Sequence, residues 1–257
     1  MGQQIASFER RTIGQLAHLA ACLARPLDFL HEDHLSLPPL DAVALRRLAG
    51  QPPFRGPLNR AVSKNLGLPE LSFGQELANK LETNEDTQIA VRLLQIDPAL
   101  VLDFARHCAA VQLFPQIRSC VLKSQRKRIE DVLGKDAFLA AVRETPAFYP
   151  GLPERSRAVR LSDVFATETS ASSPPEAETE AGAEAAAPAS PADIHPAIRE
   201  GLATLVAFVR SADRGCASLF SWRFPRSTAG EHIKAQVLSA EQSSELKMLL
   251  KHRGLTW

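Results

Sequence analysis

The segment from Ile96 to Tyr149 reads IDPALVLDFARHCAAVQLFPQIRSCVLKSQRKRIEDVLGKDAFLAAVRETPAFY. Asp97 can cap a helix whose first position is Pro98, where the missing N–H costs nothing. Apolar residues then recur at three- and four-residue steps, the spacing of one helical face. Breaks at Pro115 and Gly134 divide the segment, so it predicts three consecutive helices. Because short connections force neighbouring helices to pack, we expect a mainly α fold.

The middle helix, predicted from Pro115 to Gly134, is the most basic part of this segment. Lys123, Arg126 and Lys127 lie on one side of it, whereas Arg128 lies in line with apolar residues. One interpretation is a solvated basic face, with the Arg128 side chain snorkelling to water. The other is a docking surface for an acidic partner. The place of Arg128 in the apolar row separately suggests that a buried or half-buried carboxylate holds it. The apolar row on the helical wheel would contain Ile117, Val121, Ser124, Arg128 and Val132.

Elsewhere the same periodicity predicts helices at residues 5–24, 41–48, 58–66, 74–81, 87–96, 196–210 and 236–252. The stretch SLFSWRFP alternates instead, with Phe220, Trp222 and Phe224 on one face. Period two with aromatic residues is typical of a strand, predicted here at Leu219–Phe224. The sequence therefore predicts a mainly α protein, a multi-helix orthogonal bundle with a small β element near its C-terminus.

Residues 166–193 differ in composition from the rest of the chain. They contain ten Ala, five Glu, one Asp and four Pro, but no Lys, Arg, aromatic or large aliphatic residue. Such a segment cannot bury enough apolar area to offset its ordering entropy, which indicates a disordered acidic linker. An induced helix at EAGAEAAA is the alternative. We therefore predict a helical domain at 1–165, this linker, and a helix–strand–helix unit at 194–257 that docks on the first domain.

Composition limits the kinds of partner and compartment. The chain has 257 residues, 45% of them hydrophobic, and a formal net charge of +1. Near-neutral charge gives no overall indication of nucleic-acid or membrane binding. The longest apolar run, Leu202–Val209, is far too short to span a bilayer, so no direct membrane insertion is expected. The start, MGQQIASFERR, lacks the apolar core of a signal peptide. Four cysteines without C-x-x-C spacing indicate buried reduced thiols, so a cytoplasmic location is expected.

Motifs of catalysis or cofactor binding are absent from the sequence. There is no G-x-G-x-x-G, no G-x-x-x-x-G-K-[ST] and no G-x-S-x-G. His31, Asp33 and His34 are close enough to suggest a metal, but no third His or Cys follows at ligand spacing. An enzyme would have to use His31, His34 or His107 in a cleft. We expect no catalytic site, no cofactor and no metal.

Three short motifs occur at the beginning, middle and end of the chain. Pro26-Leu27-Asp28-Phe29-Leu30-His31 is followed by Leu35. Ile117-Arg118-Ser119-Cys120-Val121-Leu122 is followed by Leu133-Gly134. Gly201-Leu202 is followed by Ser221-Trp222-Arg223-Phe224-Pro225. In order and spacing they resemble motifs of the SctK/YscK family of type III secretion systems. The matching positions are Pro26, Phe29, Leu30, His31, Arg118, Gly134, Gly201, Arg223 and Pro225.

The resemblance implies a non-enzymatic cytoplasmic adaptor, peripheral to the inner membrane. Such proteins belong to the sorting platform and are needed for protein secretion. They join the cytoplasmic domain of the inner-membrane ring protein (SctD) to the pod protein (SctQ), and so to the stator (SctL) and the ATPase (SctN). A secretion chaperone or regulatory protein is the alternative, although this chain is long and near neutral for one. A nucleic-acid binder that uses the basic helix is a further alternative, marked by strong salt dependence.

Overall fold

The computed structural model describes residues 2–35, 37–68, 74–155, 194–226 and 237–257. Within them 79% of residues are helical, in thirteen α-helices, and no strand is present. The predicted mainly α fold is therefore confirmed, while the orthogonal packing of the bundle stays a prediction. Among the described residues, no helix combines the length and the apolar character that crossing a bilayer requires.

Within residues 74–148, short connections join consecutive helices. Before residue 113 the helices are α1 (Gly2–Ala24), α2 (Pro26–Phe29), α3 (Ala42–Ala49), α4 (Pro52–Leu66), α5 (Gly74–Thr83), α6 (Glu85–Gln95) and α7 (Pro98–Gln112). After it they are α8 (Phe114–Ser119), α9 (Lys123–Leu133), α10 (Lys135–Phe148), α11 (Pro196–Ala212), α12 (Arg214–Ser221) and α13 (Ala240–His252). Two short 3-10 helices lie at Glu32–His34 and Leu152–Arg155.

Side-chain caps explain several of the helix starts. The Asp41 carboxylate accepts from the Ala44 N–H at 2.7 Å, and the Asp97 carboxylate accepts from the Ala99 N–H at 2.7 Å. Each bond satisfies a backbone donor that the first helical turn leaves unpaired. The starts that the sequence predicted for α3 and α7 are therefore confirmed. By contrast, α4 begins six residues earlier than predicted, because prolines are tolerated in a first turn.

The predicted middle helix of the 96–149 segment is two helices. Between α8 and α9 the backbone of Cys120 and Leu122 is extended. The helical wheel is therefore reset, and the apolar row drawn through Val121 does not continue to Arg128. Both side chains are exposed, and Ile129 occupies the buried position instead. The prediction that a buried carboxylate holds Arg128 is wrong.

The predicted strand at Leu219–Phe224 is also wrong. Residues Arg214–Ser221 form α12, which is capped by the Asp213 carboxylate. Leu219 and the adjacent Phe220 are both buried, whereas a half-buried strand would expose one of two neighbours. The rings of Phe220 and Phe224 lie 5.4 Å apart, so the alternating aromatics meet across a tight turn at the end of the helix. A spacing of two and four residues between aromatic side chains is therefore compatible with this turn and also with a strand.

The chain divides into two compact units. Unit 1 comprises Met1–Leu102, Ala203–Ser239 and Gly254–Trp257, and unit 2 comprises Asp103–Leu202 and Ala240–Arg253. Each unit thus combines residues from both sides of the predicted linker at 166–193. That linker and its alternative helix lie outside the described residues, so the predicted domain boundaries stay predictions.

In unit 1, α1 packs against α2, α4, α5 and α6, and α12 packs against α6. One of its apolar clusters is centred on Leu27, Leu30, Leu35, Leu45 and Val62. In unit 2, α10 packs against α8 and α9 around a cluster that includes Ile117, Ile129, Leu133 and Ala137. The four cysteines are buried and free, as predicted.

Candidate functional site

Two of the three motif segments, near residues 26–34 and 222–226, contact each other in unit 1. They are about 190 residues apart in sequence, yet direct hydrogen bonds join them. We call this contact the motif junction. Its bonds run from the His31 N–H to the Trp222 carbonyl at 2.8 Å, from the His34 Nε2–H to the Phe224 carbonyl at 2.9 Å, and from the Arg226 N–H to the Asp33 carboxylate at 3.1 Å.

Arg223 is the central side chain of the motif junction. It is only 7% exposed, and its guanidinium donates to the carbonyls of Leu93 at 2.9 Å and Ile96 at 2.5 Å. Those carbonyls end α6, where a positive charge also interacts favourably with the helix dipole. The guanidinium carbon lies 5.1 Å from the centre of the Phe29 ring, within cation–π distance. Arg223 therefore links α6, α2 and the turn after α12.

Burial lowers the pKa of Arg223 to about 10, although Cys22 and Asp97 act in the opposite direction. The side chain is therefore charged at neutral pH. None of the ion pairs among the described residues includes Arg223. Its charge is balanced by carbonyl dipoles and an aromatic face, which is an arrangement for holding structure together.

The other motif positions in unit 1 have packing or capping roles. Pro26 is the first residue of α2, and Leu30 and Pro225 are buried. The His31 ring accepts from the Asp33 N–H at 3.3 Å and so caps the short 3-10 helix. His34 is buried against the Phe224 carbonyl, as described above.

The histidines considered as catalytic residues or metal ligands each form a hydrogen bond with a backbone atom. His31 and His34 belong to unit 1, whereas His107 belongs to unit 2 and donates to the Asp103 carbonyl at 3.0 Å. Across the part of the chain that the structure describes, no group of three or more His, Cys, Asp or Glu residues could hold a metal ion.

We expect the motif junction to lose stability on acidification. Burial lowers the pKa of His34 below its ordinary value of 6.5, although its hydrogen bond to Phe224 partly offsets this. Below about pH 6.5 the unfolded chain therefore binds a proton that the folded chain does not, and unfolding becomes more favourable. In His34→Gln, whose amide can still donate to Phe224, the melting temperature should fall less between about pH 7 and pH 5. Equal falls in both proteins would contradict the assignment.

The second region is an exposed elbow in unit 2, formed by residues 118–128 at the junction of α8 and α9. Val121 is 88% exposed and Leu122 is 59% exposed, whereas Ile117 and Cys120 beside them are buried. We call residues 118–128 the basic elbow. Two adjacent apolar side chains in water are a feature of interaction surfaces rather than of cores.

Exposed cations precede and follow this apolar pair in the sequence of the basic elbow. Arg118, Lys123, Lys127 and Arg128 are all exposed. Glu130 and Asp131 lie four residues after Arg126 and Lys127, but no ion pair among the described residues includes them. The cations of the elbow therefore form no ion pair with their own helix.

Arg126 differs from the other predicted partner-binding residues. Its Nε–H donates to the carbonyl of Cys120 at 2.9 Å, next to the end of α8. It therefore supports the shape of the elbow from within the chain. Lys123 and Lys127 have no such bond among the described residues, and of the three they are the two suited to contact a partner.

Two motif glycines in unit 2 have backbone roles. Gly134, between α9 and α10, has a φ of +85°, a conformation that residues with a side chain rarely adopt. A Cβ at Gly201 would lie 1.9 Å from the carbonyl oxygen of Ala105, so α11 and α7 approach each other closely at that point. Both glycines position helices and neither offers a functional group.

The geometry thus presents one buried structural junction in unit 1 and one exposed, unpaired, basic–apolar elbow in unit 2. Comparisons of this chain with known protein families, with curated proteins and with solved structures find no match.

Proposed function

We propose that this protein is a non-enzymatic cytoplasmic adaptor of a type III secretion sorting platform. It would join an SctD-like ring protein to an SctQ-like pod protein, at the inner membrane, and so to the stator and the ATPase. The resemblance to the SctK/YscK family suggests the assembly. Within unit 1, segments 26–31 and 222–225, which carry two of its motifs, contact each other directly. This contact supports the resemblance, because it gives both motifs one structural purpose.

The structural observation that best supports an adaptor function is the basic elbow. Val121 and Leu122 are exposed between Lys123, Lys127 and Arg118, and those cations have no carboxylate partner among the described residues. Protein interfaces combine a small apolar centre with a polar rim, and opposite charges across the rim speed and orient association. The fitting partner surface is an acidic one with a shallow apolar depression.

The charge-reversed variant Lys123→Glu/Lys127→Glu tests this surface. We expect its affinity for one of the two partners, the ring domain or the pod protein, to fall by about tenfold or more, mainly through a slower and less salt-sensitive association rate. The melting temperature should not fall, because both side chains are exposed and a glutamate at Lys123, the first residue of α9, places a negative charge at a helix N-terminus. Surface plasmon resonance at two salt concentrations, with each partner immobilised, measures both rates.

The chain offers a matched control in Arg60→Glu/Lys64→Glu. These two exposed cations also lie four residues apart on a helix, α4 of unit 1. The control should bind as the native chain does. Equal affinities of the two variants for both partners would remove the basic elbow from the interface. Failure of the native chain to bind either partner would instead contradict the adaptor function itself.

A further inference from the structure

Unit 1 contains an open cavity of about 560 Å³. This volume lies within the range of roughly 300–1,000 Å³ that small-molecule sites occupy. Three parts of the unit form its walls: α1, α6 and the residues after Gly254. The lining residues are Gly14, Gln15, His18, Arg92, Gln95, Thr256 and Trp257.

Among the described lining residues of the cavity, Arg92 is a cation that forms no ion pair. The Arg92 guanidinium donates to the amide oxygen of Gln95 at 3.4 Å, which is a neutral acceptor at long distance. No ion pair among the described residues includes Arg92. Gln15, a lining residue from α1, is only 7% exposed and adds an amide group to the cavity. These groups are suited to bind an anion.

A second cation, Arg223, lies next to the α6 wall of the cavity. Arg223 binds the carbonyls of Leu93 and Ile96, which adjoin the lining residues of α6. Burial lowers the pKa of His18, and the nearby Arg223 charge lowers it further. His18 is therefore a neutral imidazole at pH 7 in a positive field, and it can hydrogen-bond a ligand without adding charge.

The remaining wall is aromatic. The indole N–H of Trp257 donates to the Glu85 carboxylate at 3.1 Å, so the ring has only its apolar surface to offer to the cavity. The same bond engages the Glu85 carboxylate, an acidic group next to the indole. Gly14 on α1 leaves the space in front of it open, since a Cβ there would meet nothing within 4 Å.

We propose that this cavity binds a small aromatic anion, either a carboxylate or a phosphate monoester. Arg92 and Gln15 receive the anionic group, and Trp257 packs against the ring. The site is separate from the basic elbow of unit 2, and it does not depend on the adaptor function.

Calorimetric titration of the full chain with benzoate and with phenyl phosphate tests the proposal. At least one of these probes should bind with a dissociation constant of about 1 mM or lower, which is attainable for about ten heavy atoms. Benzamide, the neutral analogue of benzoate, should bind at least about tenfold more weakly because it lacks the charge. Absence of binding by both anions, or equal binding of benzamide, would overturn the proposal.

Two variants locate the site. Arg92→Gln should weaken binding of the anionic probe by about tenfold or more, whereas Arg60→Gln, an exposed arginine of α4 outside the cavity, should not. Trp257→Leu should weaken binding of the aromatic probe and leave any binding of inorganic phosphate unchanged. Equal affinities of Arg92→Gln and Arg60→Gln would overturn the assignment. So would an unchanged affinity of the aromatic probe in Trp257→Leu, which stands as a second test if Arg92→Gln does not fold.

Discussion

Gly201→Ala is expected to destabilise the protein by about 3 kcal/mol or more, at the upper end of what overpacking a core costs. The added Cβ would lie 1.9 Å from the Ala105 carbonyl oxygen and 2.9 Å from the Ala109 backbone nitrogen. All of these atoms belong to backbone, which cannot move aside as the end of a side chain can. The melting temperature should fall by about 6–12 °C for a chain of this size.

The sign of this effect makes it a strict test. In a helix interior, Ala is ordinarily more stable than Gly by about 1 kcal/mol, so helix propensity alone predicts stabilisation. Gly14→Ala in α1 is the matched control, because a Cβ there meets nothing within 4 Å. It should leave the melting temperature unchanged or raise it. A Gly201→Ala protein as stable as the native chain would mean that α7 and α11 do not approach this closely.

The helices were predictable where local chemistry decides them. Asp41 and Asp97 have side chains of a type that often caps helices. The helix that follows each of them begins where the sequence predicted. The break at 120–122 was not predictable in this way, because it contains neither Pro nor Gly. It is stabilised by a bond from Arg126 to the Cys120 carbonyl, and periodicity does not encode such a contact. The prediction of a strand was wrong for a related reason. Aromatic residues at positions i, i+2 and i+4 are compatible with a strand and also with the end of a helix.

The candidate sites also differ in how far the sequence alone could predict them. The cations Lys123 and Lys127 could be found from sequence, because a run of basic residues is visible without a fold. The exposed pair Val121 and Leu122 was missed, since apolar residues in a helical pattern are normally assigned to the core. The cavity of unit 1 was missed entirely, because it brings together residues near 15, 92 and 257. Only tertiary structure places such distant residues side by side.

The basic elbow and the motif junction can be separated experimentally, because they belong to different units. Substitutions at the elbow should alter association and leave stability nearly unchanged. Substitutions at the motif junction should act first on stability, since Arg223 is buried and bonded to backbone. Among substitutions at the motif junction, we expect the largest loss of stability at Arg223.

Arg223→Met should destabilise the protein by about 2–6 kcal/mol, because it leaves two buried carbonyls without their donor. The methionine retains much of the volume but leaves the Leu93 and Ile96 carbonyls without their donor. Unpaired buried carbonyls each cost about 1–3 kcal/mol. Arg223→Lys should recover only part of the loss, because one ammonium group cannot reproduce the fork that binds both carbonyls.

The measurement is chemical unfolding at neutral pH, combined with hydrogen exchange of the α6 amides, whose C-terminal end Arg223 holds. A double-mutant cycle with Phe29→Leu isolates the ring contact, for which a coupling of about 0.5–2 kcal/mol is expected. Buried charges can sometimes be replaced by apolar residues without loss, so the result is not trivial. If Arg223→Met were as stable as the native chain, with unchanged exchange in α6, the arginine would not serve to join α6 to the motif segments. Its burial would then need a cause outside the packing of unit 1.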